Sequence, residues 1–154
     1  VRTIPLREEI AVELQGLEVT VQELLALGED IRGRQPTLRE KTAAAAFLAQ
    51  FYNGIENILK RISLYAQVPL PAGETWHVEL FQRFCAPSHP GLPVLFDADL
   101  ASALAPYRRF RHVAFHSYAF QLDWSHMAEG VAGVDDVFSQ FKASLSSYLA
   151  TLDE

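Results

Sequence analysis

The chain has 154 residues, 49% of them apolar, and a formal net charge of −6. That length suits one domain around one core, the apolar share excludes a disordered chain, and the acidic balance excludes a broad nucleic-acid-coating surface. The longest unbroken apolar run, AAAAFLA at 43–49, is far too short to cross a bilayer, and Cys85 is the single cysteine, which excludes an internal disulfide and makes a reducing, cytosolic setting the expectation.

The opening VRTIPLREEI is charged and amphipathic, without a secretory apolar region. Leu6, Ile10, Leu14, Leu17, Val21 and Leu24 then step by three and four, which predicts one face of a first helix. Gly28 and RGRQP at 32–36 end or loosen it. TLRE at 37–40 has the form of a capping box, a hydroxyl followed three residues later by a carboxylate. It opens a second helix whose apolar phase runs through Leu48, Phe51, Tyr52, Ile55, Ile58, Leu59 and Ile62. Asn53-Gly54 would ordinarily mark a turn, but the phase is unbroken across it and the helix is expected to continue. Glu56 and Lys60, four apart in the favourable order, support the same reading. Glu56 and Asn57 are read as a solvated face rather than as contacts to another helix. Pro69 and Pro71 stop the segment.

A shorter helix is expected over Thr75 to Cys85, with His77 read as a buried or capping histidine. APSHPGLP at 86–93 is a loop. DADLASAL at 97–104 predicts a short helix with Asp97 or Asp99 as its cap. Pro106 fits the first turn of another helix, the one carrying RHVAFHSY at 111–118. Met127, Val131, Val134, Phe138, Phe141, Leu145, Tyr148 and Leu152 recur in steps of four and three, predicting one long helix from about Trp124 to Leu152. Gly130 and Gly133 weaken it by about 1 kcal/mol each against Ala and could equally mark a break. No segment alternates with the period of a half-buried strand. The expected architecture is all-α, an antiparallel four-helix-bundle core with additional short helices, forming a single domain over 1–154.

The basic residues are unevenly placed. RRFRH at 108–112 holds three of the thirteen, and only Lys142 follows it, so an anion site would be local. On a helix turning about 100° per residue, Arg108, Arg111, His112, His116 and Tyr118 share one half with Phe115, while Val113, Ala114 and Ser117 take the other. Arg111 and His116 do not stack directly at this spacing. Arginine's length, or a helix end near His116, is needed to bring both to one phosphate. Histidine titrates near neutrality, at about pH 6.5 when unperturbed, and can take a proton from a ribose 2′-hydroxyl or give one to a leaving 5′-oxygen. Arginine keeps its charge and offers a planar fork of donors to phosphate oxygens. Such a set suits cleavage of RNA, not DNA, without metal. Spacing alone leaves an ordinary solvated helix edge as the competing reading. The His112/His116 pair has metal-ligand spacing, but no neighbouring glutamate completes a zinc motif and His77, His89, His126 and Cys85 lie in other segments. No metal or other cofactor is expected.

RHVAFHSY resembles the Arg, four residues, His, one residue, Tyr motif of HEPN domains of the HepT toxin group. Arg111, His116 and Tyr118 match it, and His112 stands where that group commonly has Asn. FYNGIENILKRI at 51–62, LPAGETWHVELF at 70–81 and FRHVAFHSYAFQLDW at 110–124 look like one HepT-like branch in the same order. The resemblance implies an all-α, metal-independent endoribonuclease toxin working as a homodimer, with two motifs facing across one cleft. Arg111 and His116 would carry catalysis on transfer or messenger RNA, with Arg108 and His112 binding or supporting the phosphate. The partner implied is an MntA-like minimal nucleotidyltransferase antitoxin, in an assembly of dimer size or larger, which would attach AMP to Tyr118. The alternatives are a non-catalytic HEPN module that binds a nucleotide or partner through the same cleft, and a plain helical scaffold.

Overall fold

The computed structural model describes residues 4–116, 118 and 121–152, with backbone alone at 113 and 115. Five helices follow in chain order: α1 (Leu6–Asp30), α2 (Leu38–Tyr65), α3 (Trp76–Gln82), α4 (Ala98–His116) and α5 (Trp124–Leu149). The fold is all-α. No helix among the described residues is long and apolar enough to cross a membrane.

The four long helices form the core, and α2 packs against every other helix. Its apolar face buries Leu48, Phe51, Tyr52, Ile55, Ile58, Leu59 and Ile62, the set that the sequence phase picks out. The phase runs through Asn53-Gly54 for a packing reason. A β-carbon on Gly54 would stand 2.5 Å from Leu17 Cδ2, so the missing side chain is what lets α1 lie close. The α2 start is a complete capping box: Thr37 Oγ1 accepts from Glu40 N–H at 3.1 Å, and Glu40 Oε1 accepts from Thr37 N–H at 2.9 Å. Arg34 grips the same carboxylate with both terminal nitrogens at 2.7 Å.

Directions follow from end-to-end contacts. Arg61, late in α2, pairs with Glu9 and Glu13, early in α1, at 3.3 and 3.0 Å. Arg7 donates to the carbonyls of Leu149, the last residue of α5, and of Leu152 just beyond it. Both pairs therefore run antiparallel, as a bundle with short connections requires.

Two expectations are corrected at α4. Residues 97–104 and the segment after Pro106 are one helix, with Pro106 inside it. Proline costs such a helix one backbone hydrogen bond, and here packing outweighs that cost: Leu100, Leu104 and Tyr107 all bury on the same core. Asp97, not Asp99, is the cap, accepting from Leu100 N–H at 2.8 Å. In α5 neither Gly130 nor Gly133 makes a break. Gly130 instead admits its neighbour, since a β-carbon there would stand 2.9 Å from the Phe110 ring. The expected shorter helix is α3, trimmed at both ends.

Candidate functional site

The rotation of α4 is fixed by three aromatic contacts. Tyr107 meets Phe51 edge to face at 5.1 Å between ring centroids, and its hydroxyl donates to the Gly130 carbonyl at 2.6 Å. Phe110 lies against Gly130. One helical turn after Tyr107, the same inward side brings Arg111 back to α2.

Arg111 Nε donates to Asn53 Oδ1 at 2.5 Å and stands 3.3 Å from Glu56 Oε1. Nε carries a single proton, so Asn53 takes the hydrogen bond and Glu56 supplies the charge. Glu56 is 2% exposed, and its other oxygen is 2.7 Å from His77 Nδ1 on α3. An ionised carboxylate only accepts, so His77 presents Nδ1–H to it. A buried carboxylate is costly unless both oxygens are matched, and here an imidazole holds one while a guanidinium faces the other.

Glu56 is thus not on a solvated face and its described partners do not include Lys60, whose ammonium sits over the Trp76 ring at 4.5 Å. Asn57 is exposed, as expected. The burial of Glu56 left a trace in the sequence. Tyr52, Glu56, Leu59 and Ser63 step by four, three and four, and all four are buried on α2. His77, expected as a buried or capping histidine, is half-buried and does not cap α3; Glu56 is its partner, and the Trp76 ring lies 3.3 Å away between centroids.

The other basic residues divide around the helix. Arg108 is half-buried, its guanidinium over the Phe81 ring at 5.2 Å. His112 and His116 are exposed, with ring centroids 4.6 Å apart. Among the described residues α4 runs to His116, one of the two ways expected to let Arg111 and His116 reach one phosphate, the other being arginine's length. It follows that Tyr118 is not two turns along the same helical face. Its N–H donates to Gln121 Oε1 at 3.0 Å, its carbonyl accepts from Gln121 N–H at 2.9 Å, and its side chain is 73% exposed. The side chains of Val113 and Phe115, and Ser117 as a whole, lie outside the described residues.

Beneath the motif, Tyr52 is fully buried and its hydroxyl has no hydrogen-bond partner among the described residues. Burial, and then the charge of Glu56, push its phenol above the ordinary range, while Arg108 and Arg111 oppose this. Burial likewise raises the Cys85 thiol, against Arg108. Among the described residues no three His, Cys, Asp or Glu side chains gather as metal ligands would.

The four long helices thus carry an Arg-His cluster at the end of α4. The family model described as HepT-like protein matches residues 43–152, and the chain belongs to that family. The match takes in α2 apart from its first five residues, then α3 to α5, and with them Asn53, Glu56, His77, Arg111, His112, His116 and Tyr118. No curated protein and no solved structure matches the chain.

Proposed function

We propose that this chain is the toxin of a toxin–antitoxin pair and cleaves RNA without a metal ion, as a homodimer whose two motifs share one cleft. Membership of the HepT-like family supports a HEPN toxin-like role. The observation that carries the chemistry is Arg111, held by Asn53 and Glu56 beside a helix end that exposes His112 and His116.

In this reading a ribose 2′-oxygen attacks the adjacent phosphorus. The O2′–P bond forms, the P–O5′ bond breaks, and the products are a 2′,3′-cyclic phosphate and a 5′-hydroxyl. His116 of one or the other protomer takes the 2′ proton or supplies the proton that the leaving 5′-oxygen needs. Arg111 neutralises the charge that builds on the phosphoryl oxygens. Arg108 and His112 support the phosphate. Tyr118, exposed just past His116, is the acceptor of AMP from an MntA-like nucleotidyltransferase, and the added phosphate repels RNA from the same cleft.

The test is cleavage of total RNA in EDTA by the parent, Arg111→Ala and His116→Ala, with cut ends mapped. Each variant should lose cleavage by about 10²-fold or more while its helical circular dichroism stays unchanged. Full-rate cutting by either variant removes the catalytic assignment. A parent dimer that binds RNA and never cuts it makes the chain a binding module.

A further inference from the structure

We propose that His77 and Glu56 are positioning residues for Arg111: His77 fixes the Glu56 carboxylate, and Glu56 with Asn53 fixes the guanidinium plane. The inference rests on the reading of Arg111 as the phosphate-binding residue, and it extends the site from α4 to α2 and α3.

The geometry is a chain of three side chains on three helices. His77 Nδ1 meets one Glu56 oxygen at 2.7 Å, and the other oxygen faces Arg111 Nε at 3.3 Å. The Glu56 carboxylate accepts from His77 in its own plane, Asn53 takes the single Nε–H along one edge of a rigid planar fork, and Glu56 faces that edge as its counter-charge. Holding that edge sets the plane in which the terminal nitrogens lie. A guanidinium on a long flexible stem otherwise loses rotamer freedom when it meets a phosphate. Fixing it beforehand removes that loss from the reaction.

Stability alone does not call for this arrangement. Glu56 is the buried member of the three, a buried charged group is commonly matched or bettered by an apolar side chain of similar volume, and nearby positions on the same helices are apolar: Tyr52, Ile55 and Leu59 on α2 and Leu80 and Phe81 on α3 are all buried. What the polar trio adds is direction. Its termini differ as well. His77 is the member remote from the motif, its side chain 24% exposed, and it reaches Arg111 only through the 3% exposed carboxylate.

The experiment compares the parent with His77→Leu and His77→Asn. Leucine fills the site and removes the donor. Asparagine places an amide N–H where Nδ1 stands. His77→Leu should lower the melting temperature, because one Glu56 oxygen loses its partner, and at a temperature where it is fully folded should cut RNA with kcat lowered on the order of 10- to 100-fold, the loss of one charge-assisted hydrogen bond. KM should stay within about threefold, because orientation matters most in the transition state. His77→Asn should recover most of kcat. Where His77→Leu does not fold, Glu56→Gln, of the same shape without the charge, takes its place with the same expected loss. Parent-like kcat in the leucine variant, or no recovery with asparagine, overturns the proposal while the catalytic reading stands on Arg111→Ala.

If the parent cuts no RNA, the proposed function falls by itself and the Arg111 Nε–H resonance decides the positioning claim. That signal is assigned by its loss in Arg111→Lys. A shift in His77→Leu that is reversed in His77→Asn sustains the proposal. An unmoved signal overturns it.

Discussion

A carboxylate at 2% exposure is the pivot of the candidate site, and both its oxygens are matched there: Arg111 brings a permanent charge and His77 a directed donor. Tyr118 is its opposite, 73% exposed and past the end of α4. On the proposed function that exposure would serve a nucleotidyltransferase acting on the phenol. Tyr118→Phe should keep the fold and the cleavage rate to within about threefold, and should gain no AMP mass when incubated with ATP and the antitoxin. An AMP adduct on the Phe variant would move the modification elsewhere. At this scale the sequence is uneven. Arg111, His116 and Tyr118 are legible through their resemblance to the HepT motif, since spacing alone leaves an ordinary helix edge as the competing reading. Glu56 is not, because a glutamate four residues before a lysine looks like an exposed helix pair. Only its step with Tyr52, Leu59 and Ser63 hints that it turns inward.

Helices α1 and α2 meet where Gly54 faces Leu17, and that approach leaves no room for a methyl group. Gly54→Ala gains about 1 kcal/mol of helix propensity but overpacks the contact by about 1–3 kcal/mol. The expected result is a lower urea midpoint, and a raised midpoint would show that the two helices can separate at little cost. The start of α2 gives a pH signature. The Arg34 guanidinium, and then the Thr37 N–H, hold the Glu40 carboxyl at about 2, below its ordinary value of 4.5. A group depressed on folding contributes stability above its unfolded value and loses that contribution as the pH falls toward its folded one. Glu40→Gln should therefore melt below the parent at neutral pH, with the gap closing between about pH 4.5 and pH 2. A gap that persists at the acidic end would assign the effect to the hydrogen bonds of the cap instead. Elements of this kind are well marked in the chain: the capping box at Thr37 and the apolar phase of α2 and α5 are local patterns. The single α4 is not, since Pro106 reads locally as a helix start and only its neighbours on the core carry the helix through.

The whole molecule is acidic, at net −6, yet its motif concentrates three arginines in residues 108–111. Two copies facing one another would double that local positive charge without changing the acidic exterior, so RNA would be drawn to the cleft alone. Sedimentation should give twice the 17.2 kDa chain mass, and cleavage per chain should fall once dilution splits the pair. A monomer that cuts at full rate would mean that one motif suffices. Pairing is the level at which sequence reasoning relies most on resemblance, because no periodicity in one chain records which of its faces meets a second copy.

The closeness of Trp76 to His77 gives the chain an optical gauge. It has two indoles, Trp76 and Trp124, and Trp76 lies 3.3 Å from the imidazole, between ring centroids, with the Lys60 ammonium on its π-face at 4.5 Å. In a Trp124→Phe background, the emission of one fluorophore would then report how the ring of His77, at the far end of the Arg111 relay, sits against it, with no label attached.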